Sequence, residues 1–174
     1  MTLTTPRLEL RPIAESDWPG MRAFLMGPRA AFFGGPKTQD EARFVFDAQR
    51  GHWDMHGHGP FAAHRRNDDR TLGIIGAGHP DHCPEPELAW SIWRDQDEGH
   101  GYAFEAALAA RDHFFTEGHG DSLVSYIAPD NSRSIRLARR LDCVQDTAAG
   151  VPFAGALTFR HPAPDADGAP EAYA

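Results

Sequence analysis

The sequence predicts one domain of the mixed α/β (α+β) class, in which helices cover the faces of a β-sheet. Its 174 residues fit a single domain with a substantial core. Short alternating apolar runs indicate strands, and longer runs with apolar residues three or four positions apart indicate helices. Along the chain these runs give the order β-α-α-β-β-β-α-β-α-β-β, without an internal repeat or a domain linker.

The first predicted elements are a strand and a helix. Residues 3–11 are expected to form a half-buried strand, because Leu8 and Leu10 alternate with charged residues. Ser16 is placed to cap the first helix, and Gly27, which precedes a proline, is expected to end it.

A second helix and a hairpin follow. Thr38 and Glu41 have the spacing of a capping box at the start of this helix. Residues 61–64 and 71–78 are predicted to pair as a hairpin around a turn at 67–69. The apolar face of the helix is expected to consist of Ala42, Val45, Phe46, Gln49 and Trp53.

The middle of the chain predicts a strand, a glycine loop, a helix and a second strand. The strands are expected at 87–93 and 123–128, and the helix between them ends at Gly118. This crossover predicts parallel pairing of the two strands through a right-handed connection. The helix should lie close on the sheet through a narrow face formed by Ala103, Ala106, Ala107, Ala110 and Phe114.

The last elements are a helix at 132–141 and a closing pair of strands at 143–148 and 152–161. From Pro162 the composition turns to proline, alanine, aspartate and glycine. The domain is therefore expected to span residues 1–162, and residues 163–174 to form a disordered tail.

The glycine loop at 98–103, Glu-Gly-His-Gly-Tyr-Ala, is the most informative stretch. Two glycines let the backbone approach a ligand closely, and the N-terminus of the next helix offers unpaired N–H groups. A phosphate group is the expected ligand. Because Gly-x-Gly also occurs in ordinary turns, the loop alone does not specify a function.

Composition narrows the classes of function. The net charge of −8 argues against nucleic acid as the main partner, because neutralising phosphates requires basic surface. No apolar run approaches the roughly 20 residues that a membrane span needs, and no apolar signal segment opens the chain. Cys83 and Cys143 are too few for a disulfide framework, so reduced thiols and a cytoplasmic location are expected.

Four segments in the same order resemble a known family. They are Thr5–Pro12 (TPRLELRP), Glu87–Trp90 (ELAW), Gly99–Ala106 (GHGYAFEA) and Asn131–Leu137 (NSRSIRL). Together they resemble the GNAT N-acetyltransferases, and more narrowly the branch that includes the ribosomal-protein N-terminal alanine acetyltransferases. The resemblance covers about residues 3–162. It implies a central, mostly antiparallel twisted sheet of about six or seven strands, flanked by about four helices, with a splay between the fourth and fifth strands.

The resemblance implies acetyl-CoA as the acyl donor. The glycine loop matches the family's diphosphate motif, Gln/Arg-x-x-Gly-x-Gly/Ala, with Glu98 in place of Gln or Arg. Glu98 is therefore expected to point away from the diphosphate. A register that begins at Gln96 fits the motif literally but starts the helix two residues early. By resemblance, the cofactor-binding residues are Ala89, Trp90, Ser91, Ile92, Gly99, His100, Gly101, Tyr102, Ala103, Phe104, Asn131, Arg133 and Arg136.

The resemblance also implies two catalytic residues, Glu87 and Ser134. Attack of an amine on a thioester requires a polarised carbonyl, a neutral amine and a proton for the departing thiolate. Glu87 matches a carboxylate that helps to deprotonate the amine; alternatively, it is a surface residue at a strand end. Ser134 matches a proton donor near the sulfur, and Asn131 a residue that binds the CoA arm. Alternatively, Asn131 caps the helix and Ser134 only packs.

No metal is expected, although the chain has ten histidines. His52, His56 and His58 are close in sequence, but no zinc-binding pattern accompanies them, so surface and loop positions are predicted.

The acceptor is expected to be an amine, either a protein N-terminus or a small molecule. Its pocket should come from residues before the glycine loop, such as Phe32, Phe33 and the stretch 49–60. Neither a nucleic-acid nor a membrane partner is expected, and the protein is expected to be a monomer or homodimer. A non-catalytic acyl-CoA-binding module remains the alternative, because Glu98 departs from the motif and the helix at 132–141 lacks a tyrosine acid.

Overall fold

The computed structural model describes residues 1–68 and 70–164, and one eight-stranded sheet runs through it. The strand order is β1-β2-β3-β4-β5-β6-β8-β7, and every pairing except β5–β6 is antiparallel. The predicted mixed, mostly antiparallel sheet is confirmed, with eight strands instead of six or seven. The strands are β1 (Leu3–Thr4), β2 (Leu8–Pro12), β3 (Pro60–Arg65), β4 (Thr71–Gly78), β5 (Glu87–Ile92), β6 (Val124–Ile127), β7 (Val144–Gln145) and β8 (Leu157–Arg160).

Four α-helices cover the two faces of the sheet. They are α1 (Trp18–Leu25), α2 (Gln39–His56), α3 (Tyr102–Thr116) and α4 (Ser132–Arg140). Residues of α1 and α2 form one apolar cluster with Trp93, and residues of α3 and α4 form another, against which Trp90 packs. The two tryptophans therefore point to opposite faces, as strand alternation requires. No helix in the described part of the chain is both long and apolar enough to cross a membrane.

The sheet opens between β5 and β6. The two strands are parallel, as the crossover predicts, but only Glu87 and Val124 pair in register. Beyond that pair the strands separate, which confirms the predicted splay between the strands at 87–93 and 123–128.

The N-terminal region differs from the prediction. The strand expected at 3–11 is two strands, because the chain reverses at Pro6 and the Thr5 N–H donates to Leu8 O (2.9 Å). Ser16 does not cap the first helix. A short 3-10 helix, Glu15–Asp17, precedes α1, and the Asp17 carboxylate accepts the Ala14 N–H (2.8 Å).

The other elements follow the prediction with changed boundaries. The capping box of α2 is present, since Thr38 N–H donates to Glu41 Oε2 (2.8 Å). The closing strands β7 and β8 are shorter than predicted, because the chain leaves the sheet as a loop between Gln145 and Leu157. A 3-10 helix at Pro28–Phe33 was not predicted. Most of the predicted tail, residues 165–174, lies outside the described residues.

The carboxylate of Glu105 ties the N-terminal hairpin to α3. Glu105 Oε1 accepts the Thr5 hydroxyl (2.5 Å) and the Arg7 N–H (2.9 Å), and Oε2 accepts from Arg7 Nε (2.6 Å). Burial opposes ionisation of Glu105, whose side chain is 7% exposed, but these hydrogen bonds outweigh burial and hold its pKa below the ordinary value. Arg7 Nη1 also donates to His100 O (2.9 Å), so the same contacts fix the glycine loop.

Replacing Glu105 with Gln should lower the free energy of unfolding by about 2–3 kcal/mol, because Arg7 loses a buried charged acceptor. The loss should be largest near neutral pH. It should begin to shrink only as the pH falls below the pKa of an unfolded glutamate, about 4.3, and disappear below the still lower pKa of folded Glu105, since only the ionised carboxylate stabilises the fold. Urea unfolding at several pH values measures it. Glu9→Gln, on the exposed side of β2, is the control; an equal loss in both variants would contradict this role.

Candidate functional site

The opening between β5 and β6 forms a cleft with a volume of about 620 Å³. Its walls are the end of β5, the glycine loop, the first turns of α3 and α4, and the 3-10 helix Pro28–Phe33. The predicted site residues that line it are Trp90, Ser91, Ile92, Gly99, Gly101, Tyr102, Ala103, Phe104, Asn131, Arg133, Ser134 and Arg136. Three predicted residues, Glu87, Ala89 and His100, do not line it.

The glycine loop has the geometry of an anion cradle. Gly99 and Gly101 have φ angles of +78° and +79°, a region that favours glycine. Gly101 is the N-cap of α3 and offers no side chain, and the first helical N–H to find a partner is that of Glu105, which donates to Gly101 O (3.1 Å). The N–H groups of residues 102–104 therefore have no acceptor in the described part of the chain. Such a helix start can bind a phosphate group.

Basic side chains surround this cradle. A Cβ added to Gly101 would lie 3.4 Å from Arg7 Nη2 and 3.9 Å from Arg140 Nη1. Arg140 also stacks over the Phe104 ring, with its guanidinium carbon 4.0 Å from the ring centroid. Two guanidinium groups thus lie beside the loop of an acidic protein, where an anionic ligand needs them. Sequence reasoning missed Arg7, whose only signal was its place in the opening motif.

Glu98 lies in the cleft wall, and its orientation relative to a diphosphate stays a prediction. Its carboxylate accepts a hydrogen bond from Arg133 Nη1 (2.6 Å) and forms an ion pair with Arg29. Arg29 also donates to Ile92 O (3.0 Å). The two guanidinium groups neutralise the carboxylate, which explains how a glutamate is accommodated here. No sequence pattern singles out Arg29, which lies in the 3-10 helix that was not predicted.

Only every second residue of β5 directs its backbone N–H and C=O groups toward the cleft. Val124 N–H donates to Pro86 O (3.0 Å), and Trp93 N–H donates to Leu72 O (2.9 Å). Backbone groups therefore turn toward β6 at even-numbered residues of β5 and toward β4 at odd-numbered ones. Trp90 and Ile92 direct their backbone groups into the opening, whereas those of Ala89 and Ser91 face β4.

Glu87 lies at the closed end of the splay, in the last paired position of β5 and β6. Strand alternation puts its side chain on the face of α1 and α2, the same face as Ser91. Cys83 Sγ lies 3.7 Å from Glu87 Oε2. Burial raises the pKa of Glu87 to about 6, although hydrogen bonds from Cys83 and the Tyr126 backbone oppose the rise. A carboxylate with this pKa can exchange a proton near neutral pH.

Ser134 and Asn131 occupy the first turn of α4. Asn131 Oδ1 accepts the Ser134 N–H (3.2 Å), so Asn131 caps the helix. The Ser134 hydroxyl oxygen accepts a hydrogen bond from Trp90 Nε1 (3.2 Å). Both side chains line the cleft, and their roles toward CoA stay predictions.

The histidines do not form an evident metal site. Among the described residues, no three histidine, cysteine, aspartate or glutamate side chains are arranged to hold a metal ion. His52 and His58 are half-buried, because their rings pack together with His56. Burial and neighbouring histidines lower the pKa of His58 to about 4.

The aromatic residues predicted for an acceptor pocket lie at one end of the cleft. Phe32 and Phe33 line it together with Phe24, and Phe32 is half exposed. The stretch 49–60 does not line the cleft.

Comparisons with known proteins agree with this architecture. A family model of the acetyltransferase (GNAT) domain matches residues 7–144. An acetyltransferase from Agrobacterium tumefaciens is 36% identical, with 92% of this chain and 94% of that chain covered and a TM-score of 0.88. A protein from Bordetella pertussis described as a GNAT-family acetyltransferase is 26% identical, with 92% and 97% covered and a TM-score of 0.75. The complex of coenzyme A with RimL, a ribosomal L7/L12 α-N-protein acetyltransferase, has the same fold at 16% identity, with 92% and 96% covered and a TM-score of 0.70.

Glu87→Gln should stabilise the protein near neutral pH by about 1–2 kcal/mol. A rise in pKa from 4.5 to about 6 means that ionised Glu87 costs up to about 2 kcal/mol of folding free energy. The cost is absent below the unfolded pKa and complete above pH 6, so the gain should vanish in acid. Urea unfolding of both proteins as a function of pH measures it.

Glu85→Gln is the matched control, because its expected effect has the opposite sign. Hydrogen bonds from Arg160 and Ser122 hold the pKa of Glu85 below its ordinary value, so its loss should destabilise the protein near neutral pH. Destabilisation by Glu87→Gln would show that Glu87 is an ordinary structural carboxylate.

Proposed function

Because the chain belongs to the GNAT acetyltransferase family, we propose that it transfers an acetyl group from acetyl-CoA to a primary amine by direct attack in a ternary complex. The observation that supports this most is the position of the glycine loop. Its unpaired N–H groups lie at one end of a cleft whose wall is the free edge of β5.

The proposed site binds CoA at two places: the diphosphate at the glycine loop and the pantetheine arm along the free edge of β5. Backbone N–H groups of residues 99–104 bind the diphosphate, and Arg133, Arg136 and Arg140 add positive charge on α4. The pantetheine arm lies in the splay, where the backbone groups of Trp90 and the Ile92 N–H can pair with its amides as a strand would. A backbone N–H of this edge polarises the thioester carbonyl.

Glu87 accepts a proton on one side of the splay, and Ser134 donates a proton on the other. Glu87, on the face of α1 and α2, accepts a proton from the ammonium form of the acceptor through water, which makes the amine nucleophilic. Ser134, on the face of α4, gives its hydroxyl proton to the departing sulfur. Attack, loss of the thiolate and both proton transfers thus take place in one complex, without an acyl-enzyme.

The acceptor is a protein N-terminus or a small-molecule amine that enters past Phe24, Phe32 and Phe33. The relative RimL acts on the α-amino group of a ribosomal protein, which favours the first class. Cys83 and Cys143 are buried and unpaired, as suits the cytoplasm in which we place the reaction. The protein acts as a monomer or homodimer.

Release of free CoA thiol during incubation with acetyl-CoA and a panel of amines tests the activity. The panel should contain N-terminal peptides, polyamines and amino-acid amides. We expect turnover with at least one amine and formation of its N-acetyl product by mass spectrometry. Tight CoA binding without turnover of any amine would favour the alternative, a non-catalytic acyl-CoA-binding module, for which the departure at Glu98 is the main support.

The pH dependence of kcat/KM tests Glu87 as the base. Since the pKa of Glu87 is about 6, wild-type kcat/KM should fall about tenfold per pH unit below that value. Glu87→Gln should lower the plateau above it by about 100-fold and remove this acidic limb. An unchanged limb in the variant would assign it to another group and remove Glu87 from the mechanism.

A further inference from the structure

Trp90 makes a side-chain contact that joins the two walls of the cleft. Its Nε1 donates to the Ser134 hydroxyl oxygen at 3.2 Å, from β5 across to the first turn of α4. An indole N–H can only donate, so the Ser134 oxygen must act as the acceptor in this hydrogen bond. The hydroxyl proton is then left for another partner.

The backbone of Ser134 is fixed, but its hydroxyl proton is not used. Asn131 Oδ1 accepts the Ser134 N–H and holds the start of α4. Within residues 1–68 and 70–164, no acceptor takes the Ser134 hydroxyl proton. Because Ser134 lines the cleft, this proton is available to a ligand there.

A hydrogen-bonded network of buried, neutral side chains packs against the Trp90 ring. The His161 ring meets it edge-on, with 6.4 Å between ring centroids. The Ser125 hydroxyl donates to Leu88 O (2.5 Å), so it accepts from His161 Nε2 (2.9 Å). His161 Nδ1 then faces Cys143 Sγ (3.2 Å) as an acceptor. Burial lowers the pKa of His161 to about 3 and raises that of Cys143 to about 12, so both stay neutral.

We propose that Trp90 is a positioning residue for the proton transfer: its indole N–H holds the Ser134 oxygen and directs the Ser134 proton into the cleft. This inference rests on the proposed function, in which Ser134 protonates the leaving sulfur. The neutral amine nitrogen bonds to the carbonyl carbon and loses its second proton to water, the C–S bond breaks, and the electron pair of that bond goes to sulfur. Ser134 gives its proton to that sulfur and regains one from solvent. The hydrogen bond from Trp90 strengthens while Ser134 Oγ carries negative charge, which lowers the barrier.

A double-mutant cycle tests this role. Trp90→Phe, which keeps the ring but removes the N–H, should lower kcat about tenfold and leave the KM for acetyl-CoA within about twofold. Ser134→Ala should lower kcat about 100-fold. In the Ser134→Ala background, Trp90→Phe should change kcat less than about twofold. Trp18→Phe, which removes an indole N–H at the start of α1 outside the cleft lining, is the control and should leave kcat unchanged.

The outcomes test two claims separately: that Ser134 is the proton donor, and that Trp90 positions Ser134. If Ser134→Ala leaves kcat unchanged, Ser134 is not the donor and both claims fail. If Ser134→Ala lowers kcat but Trp90→Phe has no effect, or the same effect in both backgrounds, the donor stands and the positioning role is wrong. A loss of acetyl-CoA affinity in Trp90→Phe with unchanged kcat would also overturn it.

A measurement without activity keeps the proposal testable if Trp90→Phe fails to fold. The four tryptophans give four indole N–H resonances in a ¹H–¹⁵N spectrum. Ser134→Ala should shift the Trp90 resonance upfield and speed its hydrogen exchange, because the acceptor is gone. An unmoved Trp90 resonance would show that the hydrogen bond is not formed in solution.

Discussion

The structure depends on one interrupted pairing in its sheet. β5 and β6 share a single register pair, Glu87 with Val124, and separate beyond it. A full parallel ladder would consume the backbone groups of Trp90 and Ile92, close the cleft and leave the glycine loop facing packed side chains. The opening instead leaves these backbone groups without a strand partner. Arg29 donates to Ile92 O, and a folded protein tolerates the other groups where water or a ligand satisfies them.

The elements around this opening are held by charged contacts that reach across the chain. Glu105 fixes the N-terminal hairpin and, through Arg7, the carbonyl of His100 in the glycine loop. On the other side of the cleft, Glu98 joins the 3-10 helix that contains Arg29 to α4 through Arg133. These contacts connect the glycine loop with the 3-10 helix at the aromatic end of the cleft. An anion that attracts these arginines therefore affects the positions of both segments.

The sequence predicted the order of elements, the capping box at Thr38 and most residues of the cleft, because local patterns and four motifs encode them. It did not predict the turn at Pro6, where reversal lets Leu3 pair with Leu10, since alternation alone looks the same in one strand or two. It also missed Arg29 and Arg7, because a guanidinium group reaches the site through tertiary contacts that no spacing reveals. The ion pairs of Glu98 were not predicted for the same reason: its two arginine partners are distant in sequence.

Calorimetric titration of CoA into matched variants measures most directly whether the glycine loop is the diphosphate site. Aspartate tolerates a positive φ better than most residues, so Gly101→Asp changes the loop mainly by adding a carboxylate beside Arg7 and Arg140. It should weaken CoA binding by about tenfold or more, or about 1.4 kcal/mol. Gly118→Asp makes the same change at φ +69° beyond the other end of α3, with nothing within 4 Å, and should bind like wild type. Equal affinity of wild type and both variants would contradict the account.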